Sequence, residues 1–377
     1  MKIVSIEPTP SPYSMKINLN ESLSDGETQE FKQHQDLSDA PKYVKELFEI
    51  DGVKELYRVI NFIALERHPK VPWEDILPRV KEVLGSEDES TNEENSSSDE
   101  DDFGEIKVFV QKFRQIPMQV KVEEEDQEKR FGLNNRFMEA AMEASKDADM
   151  LAEREWVEQS PRYGQAEEVG QDVVAEIEAT YDQERLKTLV DLASSGGVQD
   201  RSQFEEPLTM EKLESEDWKE RYAALDRMPD PTTEDLPLLD RALDDSKMSV
   251  RRLATAYLGE IDDKAVLPYI YKALQDKTVT VRRTAGDCLS DLGFTEAIPK
   301  MIEALKDKSR IVRWRAAMFL YEYGDETALP ALEDALQDPE FEVRMQAKMA
   351  LSRIQGGEEA KGSIWKQMME MTKEKKK

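Results

Sequence analysis

The sequence predicts an α+β N-terminal domain, an acidic tether, a mixed hairpin-plus-helix middle region and an all-α helical repeat solenoid. Three observations carry this. Val-Arg recurs at Val250-Arg251, Val281-Arg282, Val312-Arg313 and Val343-Arg344, a step of 31 residues, and the same step takes Pro237 to Pro268, Pro299 and Pro330 and Asp245 to Asp276, Asp307 and Asp338. Residues 86–102 hold nine acidic side chains and no basic one. On both sides of that run, apolar residues alternate with polar ones at the period of a β-strand.

Residues 1–85 read as one compact α+β domain. Ile3 to Glu7 and Ser14 to Leu19 have strand character around the turn Pro8-Thr9-Pro10-Ser11-Pro12. Tyr43, Val44, Leu47 and Phe48 mark a helix face that Asp51-Gly52 ends. Val53 to Tyr57 and Val59 to Leu65 form a hairpin, and Trp73, Ile76, Leu77, Val80 and Leu84 give a closing amphipathic helix. Through Glu7-Pro8-Thr9-Pro10-Ser11-Pro12-Tyr13-Ser14-Met15-Lys16, Leu47-Phe48-Glu49-Ile50-Asp51-Gly52-Val53, Asn61-Phe62-Ile63-Ala64-Leu65 and the Trp73 helix, this stretch resembles the N-terminal domain of Nfu/NifU-like proteins. Cluster assembly in that family belongs to a separate Cys-x-x-Cys domain, and this chain has no such pair. The resemblance therefore implies a domain that contacts partners or helps deliver clusters, with no ligand of its own.

The acidic run 86–102 has the composition of a disordered, solvated tether. In region 103–195, Ile106, Val108 and Val110 alternate with polar positions, as do Ile116, Met118, Val120 and Val122, so a second hairpin is expected. A helix-rich run follows. Phe137, Met138, Ala141, Met142 and Ala144 share one helical face and read as core, with an adaptable methionine surface as the other reading. Leu151, Trp156 and Val157, then Val174, Ile177, Tyr181, Leu186, Leu189 and Val190, continue that run until Ser194-Ser195-Gly196-Gly197 breaks it.

From 207 to 357 each repeat reads as two helices. The proline opens the first, where its missing N–H has no partner to lose. The aspartate sits in the turn. Val281, Arg282, Ala285, Cys288 and Leu289 show the buried stripe of the second. Glu220-Arg221 with Ala224 and Met228 is a degenerate copy one residue short of the period, as expected of an end cap. The Asp…Val-Arg spacing resembles a HEAT-type repeat of the short, lyase-like subclass. Residues 358–377 form a basic tail in which Ile364, Trp365, Met368, Met369 and Met371 precede a run of lysines.

The net charge is −29, and Asp plus Glu exceed Lys plus Arg by 4 over residues 1–85, by 19 over 86–200 and by 6 over 201–377. That sign argues against a nucleic-acid surface. No apolar run reaches membrane-spanning length, and a cytoplasmic protein without leader or anchor is expected. The single cysteine, Cys288, falls on the buried stripe and reads as packing. The two histidines, His34 and His68, stand in no metal spacing, and the repeats lack histidine, so the chemistry of HEAT-like di-iron hydroxylases does not carry over. No phosphate loop, G-x-S-x-G or Cys-His pair occurs. No catalytic residue, cofactor or metal is expected.

The domain order, with the residues quoted above, resembles the conserved virulence factor C family of Gram-positive bacteria. The resemblance implies a cytoplasmic protein whose loss affects virulence traits such as haemolysin production. It supplies no reaction. On the repeats, the framework arginines Arg251, Arg282, Arg313 and Arg344 are expected to pair with turn aspartates as a structural ladder. The positions just after them vary, and Arg252, Arg283, Trp314 and Arg315 are the candidate protein-binding residues of a repeat groove. The expected function is a non-catalytic adaptor that binds protein partners, including acidic segments, through the repeats and the N-terminal domain. Two alternatives stand beside it: an accessory in iron–sulfur cluster delivery that contacts assembly proteins, and a repeat-lyase-like enzyme or small-ligand binder. The oligomeric state is left open.

Overall fold

A computed structural model describes residues 1–9, 11–24, 27–85, 105–124, 127–146, 149–195 and 201–357. The expected tether 86–102, the basic tail 358–377 and the Gly196-Gly197 break lie outside the described residues. The described residues fall into two compact units. One holds the residues up to 85 and those from 301 onward, the other residues 105–300.

In the N-terminal domain, strands β1 (Ile3–Pro8), β2 (Ser14–Leu19), β3 (Thr28–Lys32), β4 (Val53–Val59) and β5 (Phe62–Arg67) form an antiparallel sheet in the order β1-β2-β5-β4-β3. Helices α1 (Lys42–Phe48) and α2 (Trp73–Leu84) cover one face, burying Leu47, Trp73, Ile76 and Val80 over Met15, Ile17, Leu56, Ile63 and Leu65. Gly52 turns α1 into β4 with φ of 90°, and a Cβ there would lie 2.5 Å from Val71 Cβ. Edge strand β3 escapes sequence reading because Phe31 is its one apolar residue and three of its five positions face water.

The middle region is a four-stranded antiparallel sheet rather than a hairpin alone. Strands β6 (Glu105–Phe113), β7 (Ile116–Glu124), β8 (Gln127–Gly132) and β9 (Glu155–Tyr163) take the order β8-β7-β6-β9. Trp156 and Val157 therefore lie on a strand paired with Gln111 and Val110, not in the helical run expected of them. Both added strands are edges with few buried residues, so they lack the alternation that betrays β6 and β7. Helices α3 (Asn135–Ala144), α4 (Met150–Glu153), α5 (Ala166–Thr180) and α6 (Gln183–Ser195) follow. Phe137, Ala140, Ala141 and Ala144 form the buried stripe of α3, whereas Met138 and Met142 are 47% and 62% exposed. The core reading of these two methionines is corrected: at 3.6 residues per turn they fall just off the stripe.

Toward the C-terminus come α7 (Met210–Leu213), α8 (Trp218–Asp226), α9 (Leu236–Leu243), α10 (Met248–Glu260), α11 (Leu267–Ala273), α12 (Val279–Leu292), α13 (Ile298–Ala304), α14 (Arg310–Tyr323), α15 (Leu329–Ala335) and α16 (Phe341–Gln355). Pro237, Pro268 and Pro330 occupy the first turns of α9, α11 and α15. Cys288 is buried and donates its thiol to the Thr255 carbonyl at 3.3 Å, directly beside Gly259. Among the described residues no helix is long and apolar enough to cross a membrane.

The repeated arginine has one geometry throughout. Its Nη1 donates to the carbonyl six residues upstream: Arg221 to Ser215, Arg251 to Asp245, Arg282 to Asp276, Arg313 to Asp307 and Arg344 to Asp338, at 2.7–3.0 Å. Nε and Nη2 then fork onto the next turn's carboxylate. Arg221 takes Asp245 at 2.6 and 2.8 Å, Arg251 takes Asp276 at 2.7 and 3.1 Å, and Arg313 takes Asp338 at 2.6 and 3.0 Å. Each aspartate also accepts the amide two residues on, at Lys247, Thr278, Ser309 and Glu340. The expected pairing with turn aspartates is present at Arg251 and Arg313, and Arg221 joins it from the degenerate copy.

Burial pushes the Asp276 carboxyl up, but hydrogen bonds from Arg251 and from the Thr278 amide and hydroxyl outweigh it and hold the group below the ordinary aspartate range. Asp245 is held down in the same way by Arg221 and the Lys247 amide against the upward push of burial. A depressed folded value means that the ladder contributes fully above the unfolded-state value and loses its contribution as pH falls through the folded one. Stability to denaturant should therefore be level near neutrality and decline below about pH 4. Asp276→Ala, which strips Arg251 of its partner, should cost about 3 kcal/mol in urea unfolding at pH 7 and flatten part of that acid decline.

Candidate functional site

The residues that follow each ladder arginine are turned inward. Arg252, Arg283, Trp314 and Arg315 are 9%, 2%, 2% and 4% exposed. A free groove would leave them wet, so what they touch decides what this face does.

In the 105–300 unit, Arg252 and Arg283 face the chain's own middle region. Helix α5 packs one face on the sheet through Ala166, Val169 and Val173, and Gly170 lets it approach the Phe131 ring, where a Cβ would lie 2.1 Å from Cε2. Glu176 is on the same helix and is 6% exposed. One carboxylate oxygen of Glu176 lies 3.4 Å from Arg252 Nη2 and 3.3 Å from Arg162 Nη2 of β9. Around this buried triad, Lys247 pairs with Asp172 at 2.9 Å, Arg227 with Asp182 at 2.5 Å and Arg185 with Asp226 at 3.3 Å. Arg283 lies over the Tyr163 ring, 5.1 Å from its centroid, and pairs with Asp287 one turn on, while the Thr280 hydroxyl donates to the Tyr163 carbonyl at 3.3 Å.

The electrostatics are those of a mutually dependent cluster. Burial pushes Glu176 up, but Arg252 and Arg162 more than reverse it, and the carboxyl is held below its usual range. Burial and the repulsion of Arg252 hold Arg162 down. Burial, reinforced by Glu176, pushes the Tyr222 phenol well above its ordinary value and keeps it neutral. One carboxylate thus serves two guanidiniums out of water, which requires all three groups to be present together.

In the other unit, the residue at the equivalent position of α16 meets the N-terminal domain. Met345 follows ladder residue Arg344, and both it and Phe341 pack against the N-terminal core. Glu342 pairs with Arg67 at 2.8 Å, with both side chains under 10% exposed. Arg344 Nη2 donates to Glu74 at 2.9 Å. Arg315 Nη1 lies 3.3 Å from Met318 Sδ.

Sequence reading named Arg252, Arg283 and Arg344 on the repeat side of these contacts and missed Phe341, Glu342 and the partners. Glu176, Arg162, Glu74 and Arg67 are single charges in a chain rich in them. The one local sign at Glu176 is its place three residues after Val173 on a helix that buries that line. Among the described residues, no group of three or more His, Cys, Asp or Glu is arranged to hold a metal. The arrangement suits docking of one protein surface on another, with charge pairs that set register.

Comparison with known proteins finds family matches in three stretches of the chain. Residues 4–91 match the family described as scaffold protein Nfu/NifU N terminal, residues 111–190 match the family described as virulence factor, and residues 206–290 and 270–352 match HEAT repeats. The chain is 55% identical over 377 residues to the "uncharacterized protein YpgR" of Bacillus subtilis (strain 168), covering 99% of each chain. It is 42% identical over 270 residues to conserved virulence factor C of Staphylococcus saprophyticus, covering 71% of each. Among solved structures, the crystal structure of protein SAV1430 from Staphylococcus aureus is 32% identical, covers 22% of this chain and 98% of its own, and superposes with a TM-score of 0.21. None of these descriptions names a catalytic family.

Glu176→Ala leaves Arg162 and Arg252 buried without a counter-charge and should destabilise the chain by about 3–5 kcal/mol. In a double-mutant cycle with Arg252→Met, the second substitution should recover part of that loss. Urea unfolding of the four proteins measures it, and strictly additive losses would contradict the cluster.

Proposed function

Because the chain belongs to the conserved virulence factor C family, we propose that it acts as a non-catalytic adaptor whose repeats hold protein segments at the positions following the ladder arginines. The observation that carries this reading is the contact of Arg252 with Glu176. A variable position on a constant repeat frame is used there to recognise a protein helix, and the helix is the chain's own. Of the candidate residues Arg252, Arg283, Trp314 and Arg315, the first two then act first in cis. An external partner reaches the Arg252 and Arg283 positions by replacing the middle region, or it docks on that region while the repeats hold it in place. Acidic partners fit best, because Arg162 and Arg252 already share one carboxylate. The acidic tether 86–102 adds an effective-concentration effect if its two flanking regions engage different partners.

A second reading is favoured by the match of residues 4–91 to the Nfu/NifU N-terminal family. In it, the chain assists iron–sulfur cluster delivery by contacting assembly proteins, with no cluster of its own.

Affinity purification from the native cytoplasm separates these readings when wild type is compared with Glu176→Gln, which loosens the cis contact. The adaptor reading expects one or a few stoichiometric protein partners, enriched about threefold or more in the variant, and a flat visible absorbance spectrum. Recovery of cluster-assembly proteins equally with both forms would move the function to the N-terminal domain. A bound chromophore, or no stoichiometric protein partner with either form, would overturn the adaptor reading.

A further inference from the structure

Arg344 makes only half of the ladder pattern with the repeats. Its Nη1 donates to the Asp338 carbonyl at 2.8 Å, as at every earlier step. The next turn aspartate, 25 residues on by the spacing of Arg313 to Asp338, would be residue 369, where the sequence has Met369. The free edge of the guanidinium instead meets Glu74, in the first turn of α2, at 2.9 Å.

The surface that presents Glu74 is built for the purpose. Arg67 is 3% exposed, and its Nη1 donates to the carbonyls of Pro69 at 2.6 Å and Val71 at 2.8 Å. Its guanidinium lies 5.1 Å from the Tyr13 ring centroid and 5.8 Å from that of Trp73, while Trp73 Nε1 donates to the Pro12 carbonyl at 2.9 Å. The end of β5, the start of α2 and the Pro12-Tyr13 turn are thereby locked into one face, and Arg67 Nη2 is left pointing at Glu342. Phe341 and Met345, one turn apart on α16, fill the apolar part.

From this geometry we infer that the N-terminal domain is a repeat-end docking module: it caps the last repeat by supplying, through Glu74, the carboxylate that a following repeat would supply. A solenoid must close its final apolar face with something unlike a repeat, and here the cap is a separate α+β domain. The kind of partner this face fits is a terminal repeat helix offering an aromatic residue, glutamate, a spacer, arginine and methionine, the order of Phe341-Glu342-Val343-Arg344-Met345. The inference does not depend on the adaptor reading, since it concerns how the array ends and not what it binds.

Amide hydrogen exchange on the full chain tests it with four proteins: wild type, Glu74→Arg, Arg344→Glu and the double exchange. Each single variant should exchange about tenfold faster in α15 and α16, and the double variant, with its charges swapped, should regain most of that protection. Protection in α15 and α16 equal to wild type in the single variants would overturn the inference, as would losses that simply add in the double. If a reversed charge prevents folding, Glu74→Gln keeps the shape and removes the charge, and unchanged α16 protection in that variant would overturn it equally.

Discussion

The forked pairing of a ladder arginine with the turn aspartate ahead of it, made by Arg221, Arg251 and Arg313, is the interaction on which the repeat half of this chain depends. Each guanidinium closes its own turn through a carbonyl six residues back, and those of Arg221, Arg251 and Arg313 reach the next turn through two parallel N–H···O bonds. The carboxylate in turn orders the backbone two residues on. The fork spans 25 residues at Arg251 and Arg313, and a constant 31-residue step keeps that reach in register from one repeat to the next. The copy at Arg221 shows the same constraint in another form: it is one residue short, yet it places the same fork on Asp245 at hydrogen-bond distance.

With the frame held this way, the neighbouring positions are free to specialise. Arg252 and Arg283 take the middle region through Glu176 and Tyr163, and Met345 takes the N-terminal domain through an apolar contact flanked by two ion pairs. These contacts include buried charge pairs at Arg252–Glu176 and Arg67–Glu342. Buried charge pairs add little net stability over an apolar packing, but they penalise misregister strongly, since a displaced carboxylate strands a guanidinium out of water. The repeat surface therefore selects which segment sits on it more than it strengthens the whole.

Much of this was legible in the sequence wherever a periodic signal exists. The repeat step, the proline at the start of each first helix, the ladder itself and the strands β1, β2, β4, β5, β6 and β7 all leave a period of 31, 3.6 or 2. The strands that went unread, β3, β8 and β9, are edges with one face or neither buried, and burial is what writes alternation into a strand. Met138 and Met142 were misplaced because apolar character alone does not fix the phase of a helix when a stripe of alanines beside them is packed more closely.

The sequence by itself determined the order of the regions and the repeat frame, because each of these resides in local spacing or composition. It also marked Arg252, Arg283, Trp314 and Arg315 as the positions where the frame stops repeating. Only the tertiary structure decided that these side chains are buried, and that Arg252 and Arg283 lie against the chain's own middle region. The partners Glu176 and Glu74 lie 76 and 270 residues from Arg252 and Arg344. An isolated glutamate carries no mark of the charge it will meet until the fold removes both from water.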